Sequence, residues 1–146
     1  MEASAPARVL VVADQTAATP ALIDAVRARA ARGPAEFHLL VPNPVVADWH
    51  PLHPERHEMS RAKKVLTLAL PLLDEAAGGH VHGTASIRHD PMDAIEEALQ
   101  NGAYDEIILS TLPHSVSRWL HVDLPRRVEH LGLPLTTVIA QERSSA

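Results

Sequence analysis

The chain has 146 residues and a formal charge of −5, from 13 Lys and Arg against 18 Asp and Glu. That length holds one domain with a core of its own, and the acidic balance argues against a general nucleic-acid binder, which would carry a basic excess. Charged residues make up 21% and hydrophobic residues 46%, values that exclude wholesale disorder, and the absence of cysteine removes disulfides and thiolate metal sites.

Met1 to Ala7 carries a Glu and small residues, without the basic and apolar regions of a signal peptide. Arg8 to Ala13 is a continuous apolar run ended by Asp14, which suits a strand covered on both faces. Thr19-Pro20 predicts a helix start, a hydroxyl cap followed by Pro at the first helical position. Leu22, Ile23, Val26 and Ala30 form its apolar stripe, and Gly33-Pro34 ends it. Phe37 to Val41 is a second buried strand, ended by Pro42-Asn43-Pro44. Val45 to Pro54 holds two prolines, Pro51 and Pro54, and reads as a loop. Glu55 to Ala77 reads as a helix with Met59, Ala62, Leu66, Leu70 and Leu73 near one face. Pro71 inside it predicts a kink, because it lacks a donor and crowds the Thr67 carbonyl. Val65 to Leu73, the longest apolar stretch, is too short to span a bilayer, and a cytoplasmic protein without a membrane partner is expected.

His80 to His89 alternates Val81, Ala85 and Ile87 with His82, Thr84, Ser86 and Arg88, the pattern of an edge strand with one wet face. Asp90-Pro91-Met92-Asp93 is the clearest helix start: Asp as cap, Pro next, a second carboxylate in the first turn. Ile95 and Leu99 face inward and Asn101-Gly102 is the stop. Tyr104 to Leu109 is the fourth strand, and Ser110 to Val122 reads as an irregular loop or short helical turn. Asp123 is expected to cap a helix carrying Val128 and Leu131, ended by Gly132. Leu135 to Ala140 is the last strand and residues 141–146 a frayed tail.

Strands alternating with helices predict a three-layer α/β/α fold with a five-stranded, doubly wound parallel sheet. One domain over residues 1–146 is expected, with its ordered core at 7–140. Ligands in such sheets bind beyond the carboxyl ends of the strands, where strand order reverses. That rule points at Asp14, at Val41-Pro42 and at residues 110–123.

The element count, Asp14 after the first strand, His89-Asp90-Pro91-Met92-Asp93-Ala94-Ile95 and Tyr104-Asp105-Glu106-Ile107-Ile108-Leu109-Ser110 together resemble the universal stress protein family, over roughly residues 8–140. Ser110-Thr111-Leu112-Pro113 and Ser117-Arg118-Trp119-Leu120 are similar to an actinobacterial-type subgroup. The resemblance implies an adenine nucleotide alpha hydrolase-like fold, a homodimer through the last strand (Leu135 to Ala140), and a role in stress response or regulation. Many members bind ATP and others do not. In the binders the Asp after the first strand contacts adenine, which Asp14 matches, and backbone groups at the end of the second strand, here Val41, hold the base. Their phosphate loop reads Gly-x-x-Gly, nine residues, then Gly-Ser or Gly-Thr. Here Ser110-Thr111-Leu112-Pro113 precedes nine residues and Asp123-Leu124, so all three glycines are missing.

Those glycines let backbone amides approach phosphate. Pro113 cannot donate, and a capping Asp123 places negative charge where phosphate would dock. Ser110, Thr111, His114, Ser115, Ser117 and Arg118 remain as side chains able to hold an anion. Asp14 is either a turn residue or ligand-facing, and its place at the switch point favours the second.

Other features carry bland readings. His50, His53 and His57 stand near metal-ligand spacing, but Pro51 and Pro54 interrupt them and no nearby acid completes a site, so no metal is expected. Trp119 either stacks on a base or plugs the core or an interface, as aromatic residues more often do. Arg126 and Arg127 read as a solvated helix face. No Ser-His-Asp arrangement with diagnostic context supports catalysis. The expected function is a non-enzymatic regulatory domain binding ATP, another adenine nucleotide or a small anion in a degenerate pocket. The alternatives are an interaction or dimerisation module that has lost ATP binding, and a weak nucleotide hydrolase.

Overall fold

Five parallel strands, β1 (Ala7–Val12), β2 (Ala35–Val41), β3 (His82–Ala85), β4 (Glu106–Thr111) and β5 (Leu135–Ile139), form one sheet in the order β3-β2-β1-β4-β5. The computed structural model describes residues 6–14, 16–42, 54–86, 88, 90–113, 118–121 and 123–140, and the side chains of 54–61, 118 and 121 lie outside that description. The strands are joined through α1 (Pro20–Arg32), α2 (Pro54–Ala77), α3 (Pro91–Asn101), α4 (Arg118–His121) and α5 (Leu124–Glu129). β1 is the middle strand, paired with β2 on one side (Val11 opposite Leu39) and with β4 on the other (Val11 opposite Ile108).

The unbroken apolar runs are explained by the two cores they serve, since successive side chains on a strand point to opposite faces. Val9, Val11, Phe37, Leu39, Val41 and Ile108 pack with Leu22 and Val26 of α1 and with Ala62, Ala69, Leu73 and Ala76 of α2. Leu10, Val12, Leu40, Ile107 and Leu109 pack with Ile95 of α3 and with Leu124 and Val128 of α5. The expected three-layer, doubly wound parallel fold is therefore present.

Local signals hold unevenly. The Asp90 carboxylate accepts from the Met92 N–H at 2.8 Å and Pro91 follows it, as expected. The Thr19 hydroxyl makes no cap bond; it donates to the Thr16 carbonyl at 2.7 Å instead. α2 continues through Pro71, because Leu66, Leu70 and Leu73 on both sides of it pack on the sheet. β3 is the expected edge strand, but it is only four residues long. Ser86, expected on its wet side, is buried, its N–H donating to the Val41 carbonyl at 2.9 Å. β4 runs two residues further than expected, so Ser110 and Thr111 belong to the strand and not to the following loop.

Gly83 lets α2 close on β3. A Cβ there would lie 2.8 Å from Leu66 Cδ2 and 3.0 Å from Leu70 Cδ1. Gly83→Val forces both leucines to move, and overpacking of that kind destabilises by about 1–3 kcal/mol. Urea unfolding checks this; an unchanged midpoint would show that α2 has slack.

Candidate functional site

The order β3-β2-β1-β4-β5 places the reversal of strand order between β1 and β4, and the crevice beyond their carboxyl ends is where such a sheet receives a ligand. Asp14 leaves the end of β1 and Ser110-Thr111 end β4, so the structure brings these three expected residues to one place.

A residue that the pattern did not reveal organises them. Thr16, fully buried, hydrogen-bonds through Oγ1 with Ser110 Oγ at 2.7 Å, across 94 positions of sequence. Its N–H donates to Asp14 Oδ1 at 3.3 Å, and the Asp14 carbonyl accepts from the Ala17 N–H at 3.1 Å. Asp14 thus closes a tight turn in which its carboxylate mimics a backbone acceptor. The Thr16–Ser110 pair ties that turn to β4. Asp14 stays half-buried at the crevice, so the turn reading and the ligand-facing reading are compatible.

Val41 is buried at the end of β2. Its carbonyl receives the Ser86 N–H, and the Ser86 hydroxyl accepts from the Arg88 N–H at 3.0 Å. Thr111 is buried and its Oγ1 donates to the Leu112 carbonyl at 3.0 Å, turning the hydroxyl into its own chain. His114, Ser115 and Ser117 lie outside the described residues. Arg118 opens α4 with its side chain outside them too. His50, His53, Trp49 and residues 141–146 also fall outside, as does the side chain of His57. Trp119 is half-buried against the α3/α5 core, the packing role expected of it.

Asp123 departs from expectation in an informative way. It does not cap α5 through its side chain; its backbone is left-handed, φ 57° and ψ 38°, the one described non-glycine residue with positive φ. Glycine takes this conformation without penalty, and Asp is among the few other residues that tolerate it. The backbone here follows the course a glycine would take, while an exposed carboxylate occupies the place. Asp90, the cap of α3, faces the same helix: Arg127 Nη2 lies 4.0 Å from its Oδ2, and Arg126 and Arg127 are exposed as expected.

Among the described residues no cluster of His, Asp or Glu is arranged to hold a metal ion, and no helix is long and apolar enough to cross a membrane.

No family model matches the chain, and no curated protein matches it either. Solved structures do. A universal stress protein in complex with cAMP superposes with a TM-score of 0.62 at 14% identity, over 94% of this chain and 100% of that one. The universal stress protein from Archaeoglobus fulgidus in complex with dAMP gives 0.60 at 13%, over 92% and 98%. A family protein from Arabidopsis thaliana with AMP bound gives 0.54 at 16%, over 96% and 97%. The chain has the universal stress protein fold. In that fold the crevice between β1 and β4, with Asp14, Thr16 and Ser110 at its floor, is the position expected for a ligand. At such low identity the likeness carries the fold and none of the individual contacts.

Proposed function

We propose that this chain is a non-enzymatic regulatory domain of the universal stress protein type, which binds an adenine nucleotide with a short phosphate chain, or a similar small anion, at the β1–β4 crevice. The observation that carries the reading is the Thr16–Ser110 bond at the switch point, which holds the Asp14 turn at the floor of the crevice. Three proteins of the same fold were solved with cAMP, dAMP and AMP. Asp14 supplies an acceptor suited to an exocyclic amino group, and Val41 a backbone position at the neighbouring strand end.

The phosphate side fits less well. A left-handed residue before α5 gives the backbone turn, but the Asp123 carboxylate repels phosphate and Pro113 offers no N–H. A monophosphate is therefore favoured over a triphosphate. Calorimetry with AMP, cAMP, ADP and ATP tests this directly. AMP or cAMP is expected to bind, Asp14→Ala to abolish binding, and Asp123→Gly to improve ATP affinity about two- to fivefold. That gain corresponds to the ~0.3–1 kcal/mol that one charge contributes beside a helix start. Asp123→Gly keeps the left-handed backbone, so its melting point is expected to hold. Absence of heat with all four nucleotides would remove the nucleotide reading.

A second reading, an interaction module that has lost nucleotide binding, is favoured by the buried hydroxyls. Ser110 and Thr111 are already partnered within the protein. It places the working surface at the β5 edge, where Thr136, Thr137 and Ile139 are exposed, Ile139 to 47%. A homodimer through β5 belongs to either reading, and sedimentation of an Ile139→Lys variant separates monomer from dimer.

A further inference from the structure

Away from the crevice, on the α3/α5 face of the sheet, imidazoles gather around the edge strand. His38 of β2 stands opposite His82 of β3, with ring centroids 6.4 Å apart and planes 28° apart. His80 meets His82 edge-on at 4.8 Å, and Tyr104 meets His38 edge-on at 6.3 Å. The Arg8 guanidinium lies over the Tyr104 ring, 5.1 Å from its centroid. His38 Nε2 is 2.6 Å from Thr84 Oγ1, the one side-chain hydrogen bond between β2 and β3 among the described residues.

We propose that the β2–β3 contact around His38 and Thr84 is an acid-sensitive latch: a charge on His38, set against Arg8 and His82, releases the β3 edge from β2 while the rest of the sheet stays closed. β3 is short and at the edge, so few backbone bonds oppose its release. A charged His38 would face Arg8 from β1 and His82 from β3, the two groups that repel it, and His80 lies beyond His82. Two carboxylates stand near the cluster with other partners: Asp74 of α2 lies 4.0 Å from His80 Nδ1, and Asp105 accepts the Arg8 N–H at 2.8 Å. Glu36, two residues back on β2, stands opposite Arg8. The Tyr104 phenol is pushed up by burial, with Arg8 opposing, and adds no charge in the range that matters.

The sign follows from the ring's surroundings. Burial, then His82, then Arg8 hold His38 below its ordinary 6.5. Above 6.5 the ring is neutral whether β3 is docked or released, so the latch is fully present. As the pH falls below 6.5 the released form takes up the proton first and is favoured. The effect grows until the pH reaches the docked value and is constant below it.

Hydrogen exchange from pH 7.5 to 5, corrected for intrinsic rates, reads the latch on the full chain. Amides of residues 82–86 are expected to lose protection several-fold as the pH falls, while those of β1 and β4 hold. The midpoint should coincide with the His38 imidazole titration followed by NMR in the same sample. In His38→Gln, an uncharged side chain still able to bond Thr84, the acid step should vanish. Thr84→Val should lower β3 protection already at pH 7.5. Constant protection in the wild type, a midpoint away from that of His38, or an acid step surviving in His38→Gln would overturn the proposal. The wild-type titration decides even if a variant fails to fold, and no nucleotide is needed.

Discussion

Glu106→Ala is expected to lower the free energy of unfolding by about 1–3 kcal/mol, between the effect of breaking an exposed ion pair and that of breaking a fully buried one. Arg29 Nε donates to Glu106 Oε1 at 2.7 Å, and the two side chains are only 12% and 16% exposed. Without Glu106 the guanidinium stays in a largely dry place with its charge uncompensated, and that desolvation, more than the lost attraction, sets the size of the effect. The pair welds the last turn of α1 to the first residue of β4, at the end of the sheet opposite the crevice. Replacing both partners with apolar side chains, Arg29→Met with Glu106→Leu, is expected to recover most of the loss. Chemical denaturation of the two singles and the double separates the terms. A double no better than Glu106→Ala would mean that the pair contributes attraction beyond its desolvation.

Thr16→Val carries the second large effect and reports on both stability and binding. Valine nearly matches threonine in shape but leaves Ser110 Oγ buried without its partner, which costs about 1–3 kcal/mol. Adding Ser110→Ala removes the orphaned hydroxyl and should restore much of that stability. Binding should behave differently. The turn that presents Asp14 is held by Thr16 at its N–H and its hydroxyl, so the double variant, though stable again, is expected to bind AMP several-fold more weakly than the wild type. Equal affinity in the double variant would show that the turn needs no tie to β4.

The fold was largely legible in the sequence because its signals are local. Val9 to Val12 and Ile107 to Leu109 are apolar at every position, since both faces of their strands are covered. Asp90-Pro91 carries its own hydrogen bond within three residues. The site was legible only as a location. Ser110 and Thr111 read as loop residues because hydroxyls are common in loops, whereas they are strand residues whose partners satisfy them. Nothing near Thr16 announces a partner 94 positions away. Asp123 followed by Leu124-Pro125 has the same letters as an ordinary capped helix start, and only the backbone angle distinguishes the left-handed turn.

The central place of β1 has a consequence for synthesis. The Arg8 N–H waits for Asp105, 97 positions later, and Val9 waits for Glu106. Once residue 86 has left the ribosome, β1, β2 and β3 with α1 and α2 can assemble as a half-sheet with most of one core in place, lacking Ile108 and Val138. Until α3 and β4 follow, the other edge of β1 is an unpaired template and Leu10, Val12 and Leu40 form a bare apolar face. At ribosomal rates of about 5–20 residues per second that interval lasts on the order of seconds. The growing chain is thus most prone to pair with a neighbour between the emergence of β3 and the emergence of β4, and slow translation in that interval would lengthen the exposure.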